Sequence, residues 1–201
     1  MADTPAAPAL LEPLLAHIPA LLQTYPNWVL WRLIPRDGKA TKVPFQITGQ
    51  PARSNDPSTW TTFAHVAAAY QRGGWSGIGI MLEGSDLVGI DLDDKDGTGT
   101  LLDALGHPTE SLAAVLTHLD TYAEVSPGGK GVRILARGTI PRSGRKGAIE
   151  VYASGSPRFL TITGRRLPGA KETIEERTEA LGEFYREVFV LTPRVSPLES
   201  T

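Results

Sequence analysis

The octapeptide LVGIDLDD, residues 87–94, restricts the fold more than any other stretch of this chain. Leu87, Val88, Ile90 and Leu92 have the composition of a buried β-strand, yet Asp91 and Asp93 interrupt it two residues apart. Side chains alternate along a strand, so Val88, Ile90 and Leu92 share one face and Asp91 and Asp93 the other. Two like charges roughly 6–7 Å apart on one face repel and gain nothing from a core. The strand is therefore apolar on one side only, and its acidic side must meet water, a proton or a cation.

A calcium loop of the helix–loop–helix type does not fit. Its pattern needs an acid or amide at 95 and glycine at 96, where Lys95 and Asp96 stand. A D-x-D on one strand face suits a pair of divalent ions about 3.5–4 Å apart, which would cancel the repulsion. The plainer alternative is a strand end running into the solvated loop DKDGTGT.

At 201 residues and 41% hydrophobic, the chain can bury a core in one domain or one and a half. Net charge is −2, from 20 basic and 22 acidic residues, so nucleic-acid binding would require a local basic patch. The absence of cysteine excludes disulfides, thiolate zinc sites and cysteine nucleophiles. No apolar run has the length of a membrane span, and MADTPAAPALLEP lacks the basic head and apolar stretch of a signal peptide. The expectation is a cytoplasmic protein with no membrane partner.

Residues 10–25 have helical spacing broken by Pro13 and Pro19. WVLWRLI (28–34) reads as a strand, PRDGKAT as a turn, and KVPFQI as a second strand. A helix within 54–74 takes Ser58 as its N-cap, carries an apolar stripe at Phe63, Val66, Ala67 and Tyr70, and stops at Gly73–Gly74. SGIGIML and DLVGIDLD predict a β-hairpin around EGS. A helix over 109–119, strands over 121–126, 131–137, 148–153 and 158–164, and a closing amphipathic helix over 172–189 complete the pattern. Irregular alternation of strands and helices argues for an α+β fold around a mixed or antiparallel sheet.

Three further stretches bear chemistry. In KGAIEVYAS, Ile149 and Val151 share one strand face and Glu150 lies on the other, a candidate third carboxylate. Three oxygen donors on two strands suit Mg²⁺ or Mn²⁺, although a lone strand Glu more often faces solvent. In EVSPGGKGVRILARG, a glycine turn places Ser126, Lys130 and Arg133 near one corner, with backbone N–H groups of Gly128 and Gly129 open to an anion. It is not a Walker A loop, because Gly131 stands where that motif needs Ser or Thr, and PGG is good hairpin chemistry by itself. In RFLTITG, Arg158 and Phe159 offer a phosphate ligand and a ring to a base or sugar, or form no more than an edge strand.

Together these stretches resemble the archaeo-eukaryotic primase superfamily, in particular the primase–polymerase domains of phage and plasmid replication proteins. The resemblance runs from about residue 28 to 165. VGIDLDD resembles the metal-binding strand, SPGGKGVRI the nucleotide-binding turn, and IEVYASGSPRFLTITG the third motif; KVPF, GQPARSNDPSTWTTF and GIGIML resemble what precedes them. Two departures stand out: Arg133 where many members have histidine, and a longer GSP insertion before Arg158.

The resemblance implies an RRM-like catalytic core with an N-terminal α/β part, spanning 28–190 after a helical segment at 1–27, with 191–201 as a linker towards a helicase domain. It implies primer synthesis and extension in a bacterial host cell by a two-metal mechanism. Asp91, Asp93 and Glu150 would hold Mg²⁺ or Mn²⁺. Ser126, Gly128, Gly129, Lys130 and Arg133 would cradle the phosphates of an NTP or dNTP, joined by Arg158 and Lys42. Single-stranded DNA template would cross the open sheet face near Arg137, Arg142, Arg145 and Lys146. The competing readings are a metal-dependent nuclease, using the same acids, and a non-catalytic origin or single-stranded DNA-binding module.

Overall fold

Trp28, Val29, Leu30 and Trp31 are all buried, on both faces of one strand, as befits a strand covered on two sides. In the computed structural model, which describes residues 10–36, 39–94 and 99–191, this run belongs to β1 (Trp28–Arg36). Before it come a single 3₁₀ turn (Leu15–His17) and the short helix α1 (Ala20–Thr24), with Pro13 and Pro19 ahead of each.

β1 pairs with β2 (Lys39–Phe45), so residues expected in a turn instead extend the ladder. Asp56 rather than Ser58 caps the next turn, a 3₁₀ segment Pro57–Thr59, by accepting from Ser58 N–H. The helix proper, α2 (Phe63–Gln71), starts only after Thr62. β3 (Gly77–Met81) then returns alongside β1.

The expected hairpin around EGS does not form. β3 lies in a four-stranded sheet of order β2-β1-β3-β9, in which β9 is Phe159–Ile162, whereas β4 (Leu87–Leu92) is central in a five-stranded one. Gly79 supplies the reason on the β3 side. A Cβ there would come within 2.2 Å of the Phe159 ring and 2.5 Å of the Leu160 carbonyl, so β3 is shaped to receive β9 (Phe159–Ile162). The Asn27 amide donates to the carbonyls of Met81 and Glu83 and pins the link where it changes sheets.

After α3 (Glu110–Leu119), β5 (Tyr122–Val125), β6 (Val132–Arg137), β7 (Gly144–Lys146) and β8 (Ile149–Tyr152) join β4 to complete the second sheet in the order β5-β6-β4-β8-β7. Every ladder is antiparallel, which gives the expected α+β class. One face of this sheet, carrying Val88, Ile90, Ala123, Val132, Ile134 and Val151, packs on α3 and on α4 (Thr178–Arg186). The other face sends Leu87, Tyr122 and Leu135 against Ile78, Ile80, Leu160 and Ile162 of the first sheet, and α1 and α2 complete that core.

The closing helix is shorter than expected. Residues 171–177 run beside β5 and β6, bonded through Arg137 N–H to the Glu175 carbonyl and Arg177 N–H to the Arg137 carbonyl. Those bonds to an existing sheet replace the helical ones that the amphipathic pattern favoured. A π-helical turn, Glu187–Leu191, follows α4. The proposed linker beyond it and residues 1–9 lie outside the described residues. No helix among the described residues is long and apolar enough to cross a membrane.

Candidate active site

A row of charges crosses the second sheet. Glu124 stands opposite Arg133, Arg133 opposite Asp91, Asp91 opposite Glu150, and Glu150 opposite Arg145. Residues directly opposite in antiparallel strands point to the same face, so five charged side chains on five strands form a line with two acids adjacent in it. Asp93 lies one residue beyond β4, where its N–H donates to the Ala148 carbonyl and continues the ladder.

Arg133 is 3% exposed. Its Nη2 donates to both carboxylate oxygens of Asp91, at 3.1 and 3.2 Å, and its Nη1 donates to the carbonyl and Oγ1 of Thr161 on β9. Its Nε has no hydrogen-bond partner among the described residues. Arg133 therefore spans from the acid row to the edge strand of the first sheet. The face expected to lie open for template is covered by β9 at this point.

Glu124 was not singled out in the sequence, yet it is fully buried. It accepts from Thr163 N–H at 2.9 Å, Gly164 N–H at 2.8 Å and the Tyr122 hydroxyl at 2.8 Å. Burial raises its carboxyl above the ordinary range, against the pull of Arg133 and these donors. The signal was present: Ala123 and Val125 share one strand face and Glu124 takes the other, the pattern that marked Asp91.

Glu150 accepts from the Tyr152 hydroxyl at 2.6 Å and pairs with Arg145 at 3.2 Å. Desolvation, then the charges of Asp91 and Glu150, holds the Asp93 carboxyl above the usual range. Oxygen-only donors on two adjacent strands fit a hard divalent cation in chemistry. As they stand, Asp91 turns to Arg133 and Glu150 to Arg145 and Tyr152, and no three acidic or histidine side chains among the described residues converge closely enough to hold an ion.

Beside Asp93 opens a cleft of about 310 Å³ whose lining includes Lys42, Asp94, Ser126, Gly128 and Lys130. The turn at its rim is tightly made. Ser126 N–H donates to the Gly131 carbonyl, Gly131 N–H donates to Ser126 Oγ, and Gly129 N–H donates to the Ser126 carbonyl. Gly131 must be glycine, since a Cβ would come 2.9 Å from both the Leu92 carbonyl and Ser126 Oγ. Lys42 enters from the first sheet. Burial and the Arg133 charge lower its ammonium pKa, and Asp91 and Asp93 oppose that shift.

Arg158 is not brought to this cleft; it lines a separate one with Tyr152 and Phe159. Of the basic residues expected along a template path, Arg137 pairs with Asp86, Arg145 with Glu150, and Lys146 donates to the Val188 carbonyl.

Comparison with known proteins bears on this arrangement. A family model described as "Bifunctional DNA primase/polymerase, N-terminal" matches residues 23–180. The chain is 33% identical over 182 residues to the DNA Primase-polymerase of Nitratiruptor phage NrS-1, a match covering 85% of this chain and 24% of that protein.

Proposed function

The chain belongs to the bifunctional DNA primase/polymerase family, and from that premise we propose that it performs DNA-templated nucleotidyl transfer, synthesising and extending primers in phage DNA replication. The observation that carries the proposal is one juxtaposition. A cleft lined by Lys42, Ser126 and Lys130 adjoins Asp93, and Asp93 adjoins the opposed pair Asp91 and Glu150. A nucleoside triphosphate with its cations needs such cations and carboxylates side by side.

Asp91, Asp93 and Glu150 are the residues that would hold Mg²⁺ or Mn²⁺. Such ions supply activation of a 3′-hydroxyl and neutralisation of the leaving pyrophosphate. Lys42 and Lys130 offer positive charge to the triphosphate, and the Ser126 hydroxyl, whose oxygen accepts from Gly131, keeps its own proton to donate. A bound polyanion also offsets the cost of keeping Lys42 charged near Arg133. Arg133 acts differently from the expectation. Buried and bonded to Asp91 and Thr161, it orients Asp91, and reaching a phosphate would require leaving both partners.

The test is de novo synthesis on single-stranded DNA with ribonucleotides or deoxyribonucleotides and with Mg²⁺ or Mn²⁺. Products that lengthen only when nucleotides are added support the reading. Strand cleavage without added nucleotides identifies a nuclease instead. DNA affinity without synthesis, unchanged by Asp91→Asn and Glu150→Gln, identifies a binding module.

A further inference from the structure

Glu124, at one end of the charge row, has no part in the reaction scheme above. Among the described residues it is the only carboxylate in the buried set. No ion pair among those residues holds it there; Arg133, opposite it on β6, acts on it through charge rather than a hydrogen bond. Burial works against its ionised form, whereas Arg133, and then a backbone N–H on each oxygen, works for it. Backbone N–H groups cannot accept, so both oxygens serve as acceptors, as those of a carboxylate do.

Its two backbone donors, Thr163 and Gly164, lie where the chain leaves β9 and joins β5. Thr163 Oγ1 donates to the Val125 carbonyl at 2.7 Å, Val125 N–H donates to the Arg165 carbonyl at 2.9 Å, and Leu167 N–H donates to the Ala123 carbonyl at 2.9 Å. Glu124 thus fixes the chain just after Thr161, whose carbonyl and Oγ1 accept from Arg133 Nη1.

The charges matter as much as the tether. Arg133 has a carboxylate opposite it on either side, Glu124 on β5 and Asp91 on β4. Paired with Asp91 alone, a buried guanidinium would neutralise that carboxylate and weaken it as a ligand for a cation. With Glu124 behind it, the three groups together keep one negative charge. That charge is of use only at Asp91, since Glu124 is sealed from solvent and its oxygens are taken.

We propose that Glu124 is a positioning residue for the acid pair. It balances the charge of Arg133 and, through Thr163 and Gly164, fixes the Thr161 acceptors, so that Arg133 orients Asp91 without neutralising it. The proposal rests on the polymerase reading for the use made of Asp91, namely holding a divalent ion.

Calorimetric titration of Mn²⁺ into the chain tests it, with wild-type, Asp91→Asn, Glu124→Gln and Thr161→Val, each first checked for its fold by circular dichroism. Glu124→Gln keeps the shape of the side chain and removes its charge. Its Mn²⁺ dissociation constant should rise roughly tenfold, the effect of one charge lost about 10 Å from a divalent ion. Synthesis should fall at limiting Mn²⁺ and recover at saturating Mn²⁺, with the nucleotide KM at the wild-type value throughout. Thr161→Val removes one acceptor of Arg133 and should weaken Mn²⁺ binding in the same direction by a smaller factor. Wild-type Mn²⁺ affinity in a folded Glu124→Gln, whatever its melting temperature, leaves Glu124 a structural role only and overturns the proposal. Should Glu124→Gln not fold, Thr161→Val decides, and wild-type Mn²⁺ affinity there overturns it. Absence of Mn²⁺ binding in wild-type, or binding that Asp91→Asn leaves unchanged, overturns the polymerase reading and this proposal with it. Binding that Asp91→Asn abolishes and Glu124→Gln leaves intact overturns the proposal alone.

Discussion

Asp91 and Asp93 are two residues apart on one face, yet their electrostatic positions are opposite. Asp91 is the partner of a buried arginine, and Asp93 lies against two like charges. Removing one member of a buried ion pair leaves the other uncompensated, so Asp91→Asn should cost about 3 kcal/mol. Asp93→Asn should stabilise the protein by about 0.5–1 kcal/mol at neutral pH without divalent ions. The sign follows from the raised Asp93 carboxyl, whose ionised form the fold disfavours; the gain therefore appears as pH rises through the carboxylate range. Thermal melts of the two single variants in chelator check this, and shifts in the same direction would contradict it. Both variants should lose primer synthesis if the proposed function is right.

At the level of elements, the junctions between segments depend on few contacts, and one of them titrates. Asp86, just before β4, accepts from the Tyr25 hydroxyl after α1 and from Arg137 Nε at the end of β6, the latter at 2.7 Å. First the Tyr25 hydrogen bond and then Arg137 hold the Asp86 carboxyl below its ordinary 3.8. A depressed carboxylate contributes stability above its ordinary pKa and loses it as pH falls through the folded-state value. Because the site is largely exposed, Asp86→Asn should cost about 1 kcal/mol or less at pH 7. The difference from wild-type should shrink below about pH 4. Melting curves from pH 3 to pH 7 measure it (roughly the span of carboxylate titration), and a difference that grows on acidification would refute the assignment.

For the molecule as a whole, the two sheets share a core. Leu87, Tyr122 and Leu135 of the second sheet belong to the same buried cluster as Trp28, Ile80 and Leu160 of the first, and Arg133 and Glu124 tie the second sheet to β9 and the residues after it. Neither sheet has a separate interior on that side, so they should unfold together. Trp28 and Trp31 lie in the first sheet and Trp60 and Trp75 pack against its cores, whereas circular dichroism reports both sheets and the helices. Urea transitions followed by tryptophan fluorescence and by far-UV circular dichroism should therefore coincide. An earlier fluorescence transition would mean that the first sheet opens independently.

The faces of the strands were legible in the chain alone. Alternation in β4, β6 and β8 put Asp91, Arg133 and Glu150 opposite their apolar neighbours, because side-chain direction in a strand is a local property of the backbone. The turn chemistry of SPGGKG was legible for the same reason. Strand pairing was not. The segment 76–93 has every local mark of a hairpin, and only the fit of Phe159 and Leu160 over Gly79 sends β3 to another sheet. Alternation names the face a charge occupies and is silent on what covers that face. Arg133 therefore reads from sequence as an exposed phosphate ligand. In the folded chain it is a buried strut between Asp91 and Thr161, because β9, distant in sequence, arrives above it. Burial is a sum over distant segments, and local pattern carries no record of that sum.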